Sequence, residues 1–186
     1  MDSLPREIDT AATPAVKVDG LTKDFGDVQA VRGIDLTVYT GETFGFLGPN
    51  GAGKSTTISI LCTLLDPTSG TARVADFDVL TQRDDVRRNI GLVFQETTLD
   101  VYLSAAQNLE FHAELYGVPR ELVRPRMKQV LEMVGLWDRR DSLVQTFSGG
   151  MKRRLEIARG LMHSPRVLFL DEPTVGLDPQ TRSSIW

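Results

Sequence analysis

Apolar and polar residues alternate with a period of two through the first part of the chain. VKV at 16–18, IDLTVYT at 34–40 with Ile34, Leu36 and Val38 on one side, and ETFGFLG at 42–48 carry this pattern, which predicts strands. Gly20, the Gly26-Asp27 pair and Gly41 separate them as turns. GKSTTISILCTLL at 53–65 predicts a helix that stops before Asp66-Pro67. TARV at 71–74 reads as a short strand, and IGLVF at 90–94 as a continuous apolar run of buried-strand type. From Leu103 to Met162 the period becomes helical. Leu109, His112, Ala113 and Tyr116 recur at helical spacing, and LVRPRMKQVLEMVGLW at 122–137 continues the pattern. Met151, Leu155, Ala158 and Met162 line a third helix, with Lys152, Arg153, Glu156 and Arg159 off that stripe. RVLFLDEP at 166–173 is again a buried strand, ending in two carboxylates. Antiparallel strands, an α/β unit, a helical insertion and a second α/β unit make an α/β core with appended subdomains.

Composition narrows the class. With 186 residues, 41% apolar and 25% charged, the chain suits one globular domain burying roughly 70% of its unfolded surface. A net charge of −4 and a pI near 5.2 argue against nucleic acid or anionic lipid as the main partner. A single cysteine, Cys62, leaves no intrachain disulfide to form and fits a cytosolic home. No apolar run approaches the roughly 20 residues of a membrane helix. The opening MDSLPREIDTAATPA lacks the apolar core of a signal peptide, and residues 1–14 read as a disordered tail. Any membrane role would run through a separate chain.

The strongest chemical signal is GPNGAGKS at 48–55, which fits G-x-x-x-x-G-K-[ST] after a strand and before a helix. Gly48 and Gly53 let the loop wrap closely, so that backbone N–H groups point at phosphate oxygens. Lys54 supplies a point charge for β- and γ-phosphates, and the Ser55 hydroxyl suits Mg²⁺. Asp171 and Glu172 close a buried strand, at the end where open α/β sheets bind ligands. Asp171 would help hold Mg²⁺, and Glu172 would accept a proton from an attacking water. The competing reading is a pair of solvated turn acids before Pro173, against which stand the four apolar residues that precede them.

Taken together these residues resemble the nucleotide-binding subunit of ABC transporters. GPNGAGKST is similar to the Walker A loop, VLFLDEP to Walker B with its catalytic glutamate, and FSGGM at 147–151 to the signature loop. LVFQE at 92–96 resembles the Q-loop and GLDP at 176–179 the D-loop, all in the family's order. The resemblance implies a P-loop NTPase core with an N-terminal antiparallel β-subdomain and an inserted α-helical subdomain, spanning 15–186 with the insertion at about 97–163. It implies that Gly48, Pro49, Asn50, Gly51, Ala52, Gly53, Lys54, Ser55 and Thr56 cradle ATP. It implies Mg²⁺ at Ser55, Gln95 and Asp171, catalysis by Glu172 with Gln95 and Lys54, and an Asp178 that bridges to a second subunit. Phe25, before the Gly26 turn, stands where the family keeps an aromatic that stacks on adenine; a plain core phenylalanine is the alternative. Methionine after the two glycines, and TTLDVYLSAAQNLEFHAELYGVP after the Q-loop, resemble the ATPases of daunorubicin-resistance-type exporters.

Three readings of FSGGMKRRL at 147–155 compete. Ser148 can cap a helix whose Lys152, Arg153 and Arg154 are only a solvated basic face. The cations could bind nucleic acid, although no aromatic platform accompanies them. The family resemblance implies a third: Ser148, Gly149 and Gly150 contact the ATP γ-phosphate of a second subunit. The expected assembly is a head-to-tail homodimer sandwiching two ATPs, with no nucleic acid, docked on an integral membrane permease at the cytoplasmic face of the membrane. The family's γ-phosphate histidine falls beyond Walker B, whereas His112 and His163 precede it, as a helix-face residue and a helix C-terminal residue. With Trp186 so soon after Glu172, the expectation is a truncated chain. A cytosolic ATPase that serves no transporter, and an inert nucleotide-binding fragment, are the alternatives to export.

Overall fold

The structure, a computed structural model, describes residues 13–94 and 97–171. Gln95, Glu96 and residues 172–186, with Glu172 and Asp178, lie outside the described residues, as does the tail over 1–12. The chain divides into two units, Met1–Val86 and Arg87–Trp186.

In the first unit two of the three period-two segments, 16–18 and 34–40, pair as strands. Strands β1 (Pro14–Phe25) and β2 (Val28–Tyr39) form a long antiparallel hairpin. Register shifts after Val18 return Leu21 to the core face, so Val16, Val18 and Leu21 are all buried although their spacing is two and then three. Strands β3 (Ser69–Val74) and β4 (Phe77–Asp78) complete an antiparallel sheet of order β2-β1-β3-β4. Helix α1 (Lys54–Leu61) packs on β2 and β3 through Ile58, Ile60 and Leu61. It stops earlier than the expected Leu65. Thr63 takes a left-handed conformation (φ 61°), and the Leu64 N–H donates to Ser59 O across a closing turn of 2.9 Å.

ETFGFLG at 42–48 is a correction: residues 43–49 are not a strand, and Phe44 and Leu47 are exposed. Alternation makes a strand only where a ladder partner is found, and among the described residues this run pairs with neither sheet, while Gly45 and Gly48 weaken its intrinsic strand preference. A short helix α2 (Arg83–Asn89), too charged to show periodicity, leads into the second unit.

There, β5 (Ile90–Val93) and β6 (Val167–Leu170) pair in parallel, as their unbroken apolar runs predict. Helices α3 (Ala105–Leu115), α4 (Arg120–Met133) and α5 (Gly149–Leu161) enclose an apolar core that includes Leu109, Leu131, Leu136, Phe147, Leu155 and Met162. The α3 start is fixed by a capping box: Ser104 Oγ accepts from Gln107 N, and Gln107 Oε1 accepts from Ser104 N. Asn108 ties the preceding loop down by accepting from Asp100 N and donating to the Asp100 and Ser104 carbonyls. The fold is α/β with an antiparallel sheet and a helical block, as the sequence implies.

Candidate nucleotide-binding site

The loop 48–53 bends through left-handed backbone at Gly51 (φ 82°) and Gly53 (φ 83°) before α1 begins. Gly53 admits no side chain: a Cβ there would stand 2.3 Å from the Ala30 carbonyl oxygen of β2. The ammonium of Lys54 donates to the carbonyls of Gly48 and Pro49, each at 2.8 Å, so the cation spans the loop it follows. Ala52 N donates to Pro49 O at 3.2 Å and closes the turn between Pro49 and Ala52 through Asn50. Gly48 through Ala52 and Ser55 are exposed, and Gly53, Lys54 and Thr56 are partly buried. No side chain caps α1. An exposed glycine turn, a helix N-terminus and a lysine held at its mouth together suit a polyphosphate.

Phe25 ends β1 beside the Gly26 turn and is 50% exposed, with Lys23 Nζ 5.0 Å from its ring centroid. The core reading of this residue therefore fails.

In the second unit, Ser148 is the N-cap of α5: its hydroxyl accepts from Met151 N, while Ser148 and Gly149 are exposed and Gly150 partly so. Asp171 follows β6 and is partly buried, its N–H donating to Val93 O at 3.0 Å. The solvated basic face is a correction. Arg153 and Glu156 are buried, paired at 3.3 Å, and only Lys152 of the cation triplet makes no hydrogen bond to the backbone among those described for the three side chains. Arg153 donates to the carbonyls of Phe94 and Asp171 (2.9 Å to the latter). Glu156 accepts from Thr98 N at 2.8 Å, and Arg159 donates to the Thr98 carbonyl and hydroxyl. Arg154 donates to Val134 O at 3.1 Å. The signal was in the spacing: 153, 156 and 159 form an i, i+3, i+6 row beside the apolar stripe, so the polar row faces inward with it.

His112 lies on α3 and His163 follows the C-terminus of α5, as the sequence implies, and the two also belong to one ring cluster. Tyr116 stacks on His112 at 4.5 Å and on His163 at 4.1 Å. His163 Nε2 donates to Ile90 O at 2.8 Å, leaving its Nδ1 and His112 Nε2 buried without a partner. Burial, with help from the Arg159 and His163 charges, pushes His112 from 6.5 down to about 3. Burial also lowers His163, opposed by its bond to Ile90 and assisted by Arg126. The unfolded chain then takes up protons below pH 6.5 that the folded chain refuses. Stability is complete above that pH and is lost as pH falls toward 3. At pH 5 the loss from His112 alone should be about 2 kcal/mol. Thermal melts from pH 7.5 to 5 should show it, and His112→Gln should flatten the profile. A parent profile already flat over that range would contradict the buried neutral imidazole.

A glycine loop opening a helix, an antiparallel sheet and a helical block are the parts of a P-loop ATPase fold. The ABC transporter family model matches residues 31–175, and the chain belongs to that family. It is 46% identical, over 96% of its length, to the daunorubicin/doxorubicin resistance ATP-binding protein DrrA of Streptomyces peucetius, covering 54% of that protein. It is 43% identical to the linearmycin resistance ATP-binding protein LnrL of Bacillus subtilis over 91% of this chain and 55% of that one. The chain thus spans about half the length of the curated relatives it matches. Among solved structures, cbiO1 of Clostridium perfringens, part of an ABC transporter complex, superposes with a TM-score of 0.84 at 33% identity, covering 92% of this chain and 70% of that one. A dimeric ATP-binding cassette in a post-hydrolysis state with ADP and phosphate gives 0.79 at 31% identity, over 91% of this chain and 79% of that one.

Proposed function

We propose that this chain is an ATP-binding subunit that hydrolyses ATP to power export through a separate membrane permease. The observation that carries the reading is the loop Gly48–Ser55, with Lys54 bridging the Gly48 and Pro49 carbonyls at the start of α1. Phe25, exposed at the end of its hairpin, is free to take the adenine face. Gly48, Pro49, Asn50, Gly51, Ala52, Gly53 and Thr56 supply the backbone cradle, and Lys54 the charge at the β- and γ-phosphates. The Ser55 hydroxyl and the Asp171 carboxylate are hard oxygen donors of the kind Mg²⁺ prefers, with Gln95 as the third expected ligand. Bound there, the ion would neutralise charge on the phosphates. Glu172 orients and deprotonates the attacking water, and Gln95 assists it.

Ser148, Gly149 and Gly150 at the head of α5 would meet the γ-phosphate held by a second subunit, which makes the working form a head-to-tail dimer. The solved dimer of a cassette with ADP and phosphate supports that assembly by likeness. Export is supported by relatives that include a Nod factor export ATP-binding protein of Ralstonia nicotianae, 40% identical over 94% of this chain and 54% of that protein. Among the described residues no helix is long and apolar enough to cross a membrane. Docking on such a permease would hold the subunit at the cytoplasmic face.

The reading is tested by measuring ATP affinity at equilibrium. Lys54→Ala removes charge-assisted hydrogen bonds worth about 1.5–3 kcal/mol, and should weaken ATP binding by roughly 10- to 150-fold. Unchanged affinity in that variant would sink the assignment of the loop.

A further inference from the structure

We infer that the Arg153–Glu156 pair of α5 is a positioning clamp that fixes the two backbone segments leading to Gln95 and Glu172, an inference that rests on the function proposed above. The placement is specific. Arg153 reaches the carbonyl of Phe94, directly before Gln95, and the carbonyl of Asp171, directly before Glu172, the second at 2.9 Å. Glu156 takes the amide of Thr98 at 2.8 Å, beyond Gln95 on the other side. Arg159 secures the carbonyl and hydroxyl of the same Thr98. One helix therefore holds the chain on both sides of Gln95 and at the residue before Glu172.

The chemistry suits rigid holding. Arg153 is 6% and Glu156 2% exposed, so water does not compete for these bonds. A planar guanidinium can address two carbonyls and a carboxylate at once, which an ammonium cannot do with fixed geometry. Phosphoryl transfer depends on positioning, so displacement of either segment slows hydrolysis without requiring any loss of nucleotide affinity. Because Ser148 caps the start of α5, whatever that end contacts is joined through less than two turns of helix to Arg153 and so to both segments.

The test compares the purified chain with Arg153→Lys, which keeps the charge beside Glu156 but loses the fork. Two quantities are read: backbone amide hydrogen exchange, and ATP turnover alongside equilibrium ATP affinity. Exchange over 97–99 and 168–171 should rise at least about tenfold, with the β1–β3 sheet unchanged. Turnover should fall about tenfold or more at unchanged ATP affinity. A merely structural role would instead loosen the apolar core around Leu109 and Leu155 as well. Should Arg153→Lys fail to fold, Arg153→Met/Glu156→Leu keeps the volume, leaves no lone buried charge, and should show the same pattern. Unchanged exchange in both segments overturns the clamp, as does raised exchange with turnover intact. If the parent chain binds no ATP, the proposed function falls, and the exchange result still decides whether α5 holds the two segments.

Discussion

Glu172→Gln is expected to bind ATP as tightly as the parent chain and to hydrolyse it roughly 10²- to 10⁴-fold more slowly, the usual contribution of a positioned general base. The amide keeps the size of the carboxylate and can still accept a hydrogen bond from water, but it cannot take the proton. Loss of the γ-phosphate is what would release a dimer joined through it, so this variant should also accumulate ATP-bound dimer. Gel filtration with ATP and a phosphate-release assay read the two outcomes separately. Parent-like turnover would remove Glu172 from the mechanism. Equal loss of binding in Glu172→Gln and Lys54→Ala would show that the two residues do not divide the work as proposed.

The second large effect concerns packing. At Gly91 of β5, an added Cβ would lie 2.4 Å from the Gly160 carbonyl oxygen of α5 and 2.8 Å from a Leu168 methyl group. Backbone cannot yield cheaply there, so Gly91→Ala should cost about 1–3 kcal/mol and lower the melting temperature by roughly 2–12 °C. Gly160→Ala is the internal control. Its Cβ would meet only side-chain carbons at 3.4 and 3.5 Å. Alanine is favoured over glycine inside a helix by up to about 1 kcal/mol, so this variant should melt close to the parent or slightly above it. Calorimetry on the two variants checks the close approach of strand and helix. Similar melting of both would refute it.

Most of the secondary structure was legible because it rests on period. The β1–β2 hairpin, the two unbroken apolar strands and the apolar stripe of α5 all follow from burying one face or both. The run 42–48 was misread because alternation records which faces could be buried, and a ladder partner is a tertiary fact. Helix α2 was missed because RDDVRRN has one buried residue, Val86, and no stripe to detect. The phosphate loop was legible because its chemistry is local: glycines, lysine and serine must be consecutive to work. The inward turn of Arg153 and Glu156 was not, since charge predicts exposure unless partners are known, and their partners lie 59 and 58 residues away at Phe94 and Thr98. The His112–Tyr116–His163 cluster escaped for the same reason, because only the fold brings position 163 onto the face of α3.

The buried pair also limits how this sequence can drift over generations. Losing one member of such a pair strands the other charge and costs about 3–5 kcal/mol, whereas exchanging both for apolar residues can be close to neutral. Positions 153 and 156 are thus tied together in inheritance: a single step away strands a buried charge, whereas a joint step to apolar residues spares stability and gives up only the clamp. Lys152, one residue earlier, carries no such obligation. Neighbouring cations that look alike in the sequence therefore face opposite evolutionary constraints.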